Sequence, residues 1–183
     1  DEGVAALLAS RDIEVPEGNA DDSADQDTIH GLGARKNEDL LKLVEEGVQA
    51  YEGSVQLLDA IRERAAAGEK APQIAIVSSS KNARPVLKAA GLLDRFEVVV
   101  DGKVASEKNL PGKPAPDTYL YGAQQLGANA ENAVVVEDAT SGVASGKAGK
   151  FGLVIGVDRG AGAEALREYG ADIVVDDLAD LLG

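Results

Sequence analysis

The chain has no cysteine, no methionine and no tryptophan, a single histidine, and only four tyrosines and two phenylalanines among its 183 residues. Without cysteine there is no disulfide framework and no thiolate metal site. The lone His30 has nothing around it that resembles an acid–base pair or a metal cluster, so it reads as structural or exposed. Positive charge is scarce. Lys+Arg 18 against Asp+Glu 32 leaves a formal net charge of −14. A field of that sign repels nucleic acid and anionic membranes unless a basic patch reverses it, and no such patch is present. No apolar run has the length of a membrane span or the layout of a signal peptide. The expectation is a soluble cytoplasmic protein, monomeric or weakly homo-oligomeric. Methionine is missing even from the first position, Asp1, and residues upstream are expected to be missing with it.

What is present suffices for a core. Apolar residues are 44% of the chain and charged ones 27%, the balance of one globular α/β domain with a small appendage. Residues 4–10 look like the tail of a helix, and 16–26 (PEGNADDSADQ) like an exposed loop. After a turn predicted at 31–33, residues 38–47 carry Leu40, Leu41, Leu43 and Val44 at helical spacing, and 54–67 repeat the pattern with Val55, Leu57, Leu58 and Ile61. The rhythm then changes. Apolar, β-branched runs at 73–77, 96–100, 133–136, 151–157 and 173–175 alternate with helical stretches at 83–90, 116–126, 141–148 and 163–169, and a last turn at 178–182. Continuous rather than alternating apolar strands indicate a parallel sheet buried on both faces by helices. The predicted fold is α/β, a doubly wound parallel sheet at 52–183, preceded by a helical region at 1–51.

In such sheets ligands gather at the carboxyl ends of the strands, and three strand ends or nearby loops carry suggestive residues. Ser78, Ser79, Ser80, Lys81 and Asn82 follow the strand QIAIV and open a helix. Free N–H groups at a helix start form an anion site, and the hydroxyls, amide and ammonium add donors. Simple N-capping competes evenly as an explanation, although three serines exceed what one cap needs. Lys113 stands in Gly112-Lys113-Pro114-Ala115-Pro116-Asp117, where the prolines keep it outside the next helix on a stiff stem. It could present a fixed charge to a phosphoryl oxygen, but a lone lysine in such a turn is more often merely solvated. Glu137 and Asp138 end the strand AVVV. Mg2+ takes one or two carboxylates with waters and substrate phosphate; an acidic helix cap is the alternative. Together the three supply anion donors, a fixed cation and metal ligands, the equipment of phosphoryl transfer.

In this order, VSSSKN, GKPAPD and VVEDATSG resemble the second, third and fourth motifs of the haloacid dehalogenase (HAD) superfamily, most closely its β-phosphoglucomutase group. The resemblance spans roughly residues 31–183 and includes Arg35-Lys36-Asn37, a helix, and YEGSVQLLDAI, which look like the second half of the family's helical cap and the return to the core. It implies a Rossmann-like core with a small cap, Mg2+ as cofactor and a small phosphorylated sugar as substrate. It further implies that Ser78 and Lys113 are catalytic, that Ser79, Ser80, Lys81 and Asn82 help hold phosphate and sugar, and that Glu137 and Asp138 serve the metal. Lys36, with Arg35, would reach the substrate from the cap; a solvated basic patch is the alternative, although cations at a helix start oppose its dipole.

One departure is large. The family's first motif, Asp-x-Asp on the first, central strand, supplies the nucleophile and the general acid/base. No Asp-x-Asp follows an apolar strand here, and Asp21, Asp22 and Asp25 lie in a polar loop. The expectation is a core lacking its first strand and a partial cap, with the nucleophile outside these 183 residues. The implied reaction interconverts β-glucose 1-phosphate and glucose 6-phosphate. A phosphatase for a small phosphate ester is the next alternative, and a non-catalytic phosphate-binding α/β module the alternative of another class.

Overall fold

The fold was established from a computed structural model, which describes residues 2–182. The chain forms two compact units, Asp1–Val48 and Gln49–Gly183. Asp1 and Gly183, the outer ends of the expected domain ranges, lie outside the described residues.

The first unit holds α1 (Glu2–Ala9) and α2 (Ile29–Glu46). α2 starts well before the predicted helix and runs straight through the predicted turn at 31–33. Thr28 explains the early start: its hydroxyl oxygen accepts from the Gly31 N–H at 3.0 Å and donates to Asp22 at 2.6 Å, a side-chain N-cap. Gly31 is there for close approach rather than for turning, since a Cβ would stand 2.2 Å from the Gln26 carbonyl oxygen. The helix ends at Gly47, whose φ of 116° suits glycine.

The second unit opens with α3 (Glu52–Ala66), which lies against the closing 3₁₀ segment Leu178–Leu182. Between them come β1 (Ala75–Val77), α4 (Ala83–Ala89), β2 (Val98–Val100), α5 (Gly102–Glu107), α6 (Asp117–Gln125), β3 (Val134–Glu137), α7 (Thr140–Ala148), β4 (Leu153–Val157), α8 (Ala163–Glu168) and β5 (Ile173–Val175). All pairing is parallel, as the α/β reading requires. It falls into two ladders, β1–β2 and β3–β4–β5, with no strand bonded between β1 and β3 among the described residues.

Helices join the ladders. α6 packs on β1 and β2, α7 packs on β3 and β4, and the two helices touch. Beneath them Tyr119, Val135, Val143, Val154, Leu166 and Ala171 form one core that reaches Val77, Phe151 and Val174. β3 departs from the expectation of a strand covered on both faces. Val135 is 2% exposed, but Val134 and Val136 are 54% and 41% exposed. With a period of two, these residues point to opposite faces, so β3 is covered on one face only.

Candidate active site

Lys113 sits in the connection that enters α6 through a cis Lys113–Pro114 bond. The connection is tied down by the fully buried Ser145 of α7, whose hydroxyl donates to the Ala115 carbonyl at 2.7 Å. From this anchored stem the Lys113 Nζ donates to Glu137 Oε1, to the Tyr119 hydroxyl at 3.0 Å and to the Val77 carbonyl at 3.4 Å. It also lies 4.6 Å from the Tyr119 ring centroid, within cation–π range. One ammonium thus links the ends of β1 and β3, the leading strands of the two ladders.

Glu137 is equally enclosed. The Lys113 and Glu137 side chains are each only 10% exposed. Tyr119 donates its hydroxyl proton to Glu137 Oε1 at 3.1 Å, while Oε2 accepts from the Asp138 and Ala139 N–H groups at 2.8 and 2.9 Å. Both oxygens are therefore spent on protein donors at the mouth of α7. Burial alone would push the Glu137 carboxyl up, but the Lys113 charge and hydrogen bond, the Ala139 N–H and the Tyr119 hydroxyl hold it below its ordinary value. Burial first, then the Glu137 charge, push the Tyr119 hydroxyl far up, so it stays a protonated donor. Sequence reasoning missed Tyr119, although an aromatic six residues past Lys113 and one turn into a helix is a findable signal.

Asp138, next in the chain, is exposed, and its carboxylate has no partner among the described residues. Adjacent acids have thus been given opposite environments.

The loop after β1 is held to β2 by its backbone. Ser78 N–H donates to the Val100 carbonyl at 2.8 Å, and Gly102 N–H to the Ser80 carbonyl at 3.0 Å. Ser78 and Ser80 hydroxyls accept from the Ser80 and Asn82 N–H groups at 3.2 and 3.1 Å. These bonds use acceptor capacity and leave the hydroxyl protons to donate elsewhere. Ser79, Ser80 and Lys81 are exposed; Ser78 and Asn82 are half-buried. Lys113's bond to the Val77 carbonyl places its ammonium at the root of this loop. Ser78, Lys113, Glu137 and Asp138 therefore converge on the carboxyl ends of β1 and β3.

Arg35 and Lys36 belong to the first unit, on the exposed side of α2. Arg35 donates to the Ala24 carbonyl at 2.7 Å and pairs with Asp27 at 3.3 Å, so it braces its own loop. Lys36 forms no ion pair among the described residues. Both line a shallow depression with Leu32, Asp39, Leu40 and Leu43.

A family model described as haloacid dehalogenase-like hydrolase matches residues 5–150. The chain belongs to this family. Among curated relatives of this hydrolase, the β-phosphoglucomutase of Mycobacterium tuberculosis is 48% identical, covering all of this chain and 69% of its own length. Hexitol phosphatase A of Escherichia coli is 32% identical, covering 98% of this chain and 74% of its own. Among solved structures, a HAD family hydrolase from Deinococcus radiodurans with bound phosphate and sodium superposes with a TM-score of 0.67 at 34% identity, covering 98% of this chain and 72% of its own. The family consists of α/β enzymes with a Rossmann-like core, in agreement with the parallel ladders seen here.

The donor chemistry is compatible with a hard dication. Asp138 offers a free, exposed carboxylate, and Mg2+ needs only one or two carboxylates beside water and phosphate oxygens. Glu137 could join only by giving up Lys113 or the α7 amides. No group of three or more acidic or histidine side chains suited to a metal occurs among the described residues.

Proposed function

We propose that this HAD hydrolase transfers a phosphoryl group on a small sugar phosphate with Mg2+, interconverting β-glucose 1-phosphate and glucose 6-phosphate. The observation that carries the reading is the enclosed Lys113–Glu137–Tyr119 triangle at the root of the serine loop. A held cation there can neutralise charge developing on a transferring phosphoryl group without reorganising during the reaction. The 48% identity to a β-phosphoglucomutase over the whole chain supports the choice of sugar.

In this reading Lys113 faces the phosphoryl oxygens, and Glu137 fixes its Nζ. Ser78 donates its hydroxyl proton to the same phosphoryl group, and Ser79, Ser80, Lys81 and Asn82 hold phosphate and sugar oxygens. Asp138, with Glu137 as the exchangeable second carboxylate, would hold Mg2+, which supplies charge neutralisation on the phosphate. Lys36 and Arg35 are assigned to substrate binding on the family resemblance alone. In this reading a nucleophilic aspartate and an acid/base aspartate complete the machinery, and the enzyme works in the cytoplasm.

The phosphatase reading has its own support in the 32% identity to hexitol phosphatase A. One experiment separates the two. The full-length gene product is given Mg2+, β-glucose 1-phosphate and a trace of the bisphosphate, and glucose 6-phosphate and free phosphate are followed together. Glucose 6-phosphate without free phosphate, falling about a hundredfold or more in Lys113→Ala, is the expected result. Free phosphate as the main product makes the protein a phosphatase. Neither product from a gene that encodes an Asp-x-Asp motif means that the sugar is wrong; neither product and no such motif leaves a phosphate-binding module.

A further inference from the structure

The serine loop is not positioned by its own residues alone. Across from it, β2 ends at Val100 and passes through Asp101 and Gly102 into α5. Asp101 is 2% exposed. Its Oδ1 accepts from the Lys103 and Val104 N–H groups at 3.0 and 2.9 Å, capping α5, and its Oδ2 lies 3.5 Å from the Arg84 Nε. Arg84, on α4 just past the loop, also donates to the Val99 carbonyl at 3.2 Å. A buried carboxylate thus ties the helix after the loop to the turn after β2.

Gly102 completes the clamp. Its N–H donates to the Ser80 carbonyl, and its Cα faces the loop so closely that a Cβ would stand 2.6 Å from the Ser79 carbonyl oxygen and 3.0 Å from the Lys81 nitrogen. These are backbone atoms, which cannot swing away as a side-chain end can. The Gly102 φ lies outside the left-handed region, so alanine costs nothing in backbone conformation and is the better helix former. What glycine provides here is the distance of approach to the loop.

We infer that Gly102, with Asp101 behind it, is a positioning residue for residues 78–82: it sets where the Ser79, Ser80 and Lys81 backbone stands, and through it the affinity of the loop for a phosphate group. The inference rests on the reading of 78–82 as the phosphate-holding loop. It predicts that one added methyl at position 102 impairs the loop while leaving α5, its Asp101 cap and the Lys113–Glu137 pair in place.

The test uses Gly102→Ala, with Asp101→Asn as a second variant that keeps the capping oxygen but drops the charge facing Arg84. Two quantities are read for each protein: backbone amide shifts and hydrogen exchange of Ser79, Ser80, Lys81 and Asn82, and affinity for inorganic phosphate by calorimetry. In Gly102→Ala the loop amides are expected to shift and exchange faster while those of β4 (Leu153–Val157) stay unchanged. Phosphate affinity is expected to fall by about tenfold or more, near 1.4 kcal/mol. Asp101→Asn should show the same loop signature in milder form. Loop amides in Gly102→Ala that match the wild type overturn the inference, whatever the phosphate result. Wild-type protein that binds no phosphate overturns the reading of the loop instead, and the amide readout still decides whether Gly102 positions it.

Discussion

Lys113 and Glu137 show why a single residue in this site cannot be judged alone. Each is only 10% exposed, and removing one partner of a buried pair strands the other's charge, at a cost of about 3 kcal/mol or more. Glu137→Ala is therefore expected to lower the unfolding free energy by about that amount in urea titrations. Asp138→Ala, which removes an exposed carboxylate with no ion pair among the described residues, should stay within about 0.5 kcal/mol. Equal losses in the two variants would mean that the pair is not the anchor described. The same pair sets a pH dependence. Glu137 is depressed from its ordinary value of 4.5, so the native state holds its proton less tightly than the unfolded chain does. Its stabilisation is fully present above the ordinary value and is lost as pH falls through the depressed native one. In Glu137→Gln that acid limb should flatten, as checked by urea midpoints measured from neutral pH downward. The sequence showed two neighbouring acids after an apolar strand and could not distinguish them. Which one is enclosed depends on Tyr119 and Lys113 arriving from elsewhere in the chain.

The element that divides those two acids is α7. Its Gly142 is buried, and a Cβ there would stand 2.1 Å from the Glu137 carboxyl and 2.4 Å from its Cγ. Glycine leaves room for Glu137 to fold over the helix mouth and take the Asp138 and Ala139 amides. Alanine is worth about 1 kcal/mol more than glycine inside a helix, so Gly142→Ala should leave α7 formed and expel the flexible carboxylate instead. Its acid limb should then resemble that of Glu137→Gln, and an unchanged limb would refute this role for Gly142. Legibility follows the same logic across the elements. Apolar runs such as 96–100 and 151–157 marked strands because β-branched preference and burial agree there, with Val99, Val100, Val154, Ile155 and Val157 all buried. The serine loop and the Glu137–Asp138 pair could be looked for at strand ends, where side chains in a parallel sheet can converge, whereas Lys113 comes from the connection between α5 and α6. The start of α2 was not legible, because glycines at 31 and 33 suggest a turn unless Thr28's capping and the close packing of Gly31 on Gln26 are known. α5 was overlooked although Asp101 after a strand is a cap signal; its six residues are too few for a period to show.

At the scale of the molecule, the two units differ in what they bury. Among the described residues, every apolar side chain that is fully enclosed lies in Gln49–Gly183, from Ala83 to Ala171, and the first unit buries only Gly31. A glycine removes almost no apolar surface from water. α2 must therefore rely on its Thr28 cap, its half-buried leucines and its length of 18 residues, whereas most helical stability in proteins comes from packing of an apolar face. The second unit has a contiguous core under α6 and α7, and a fully buried valine or leucine contributes about 1.5–3 kcal/mol. Local opening should follow this division. In native-state hydrogen exchange, amides of Ile29–Glu46 should open at free energies well below those of Leu153–Val157. The difference should persist in Thr28→Ala, which lowers only the α2 values, by about 1 kcal/mol. If α2 amides instead exchange only through global unfolding together with β4, the first unit draws its stability from more than its own burial. The helix carrying Arg35 and Lys36 would then be as rigid as the core.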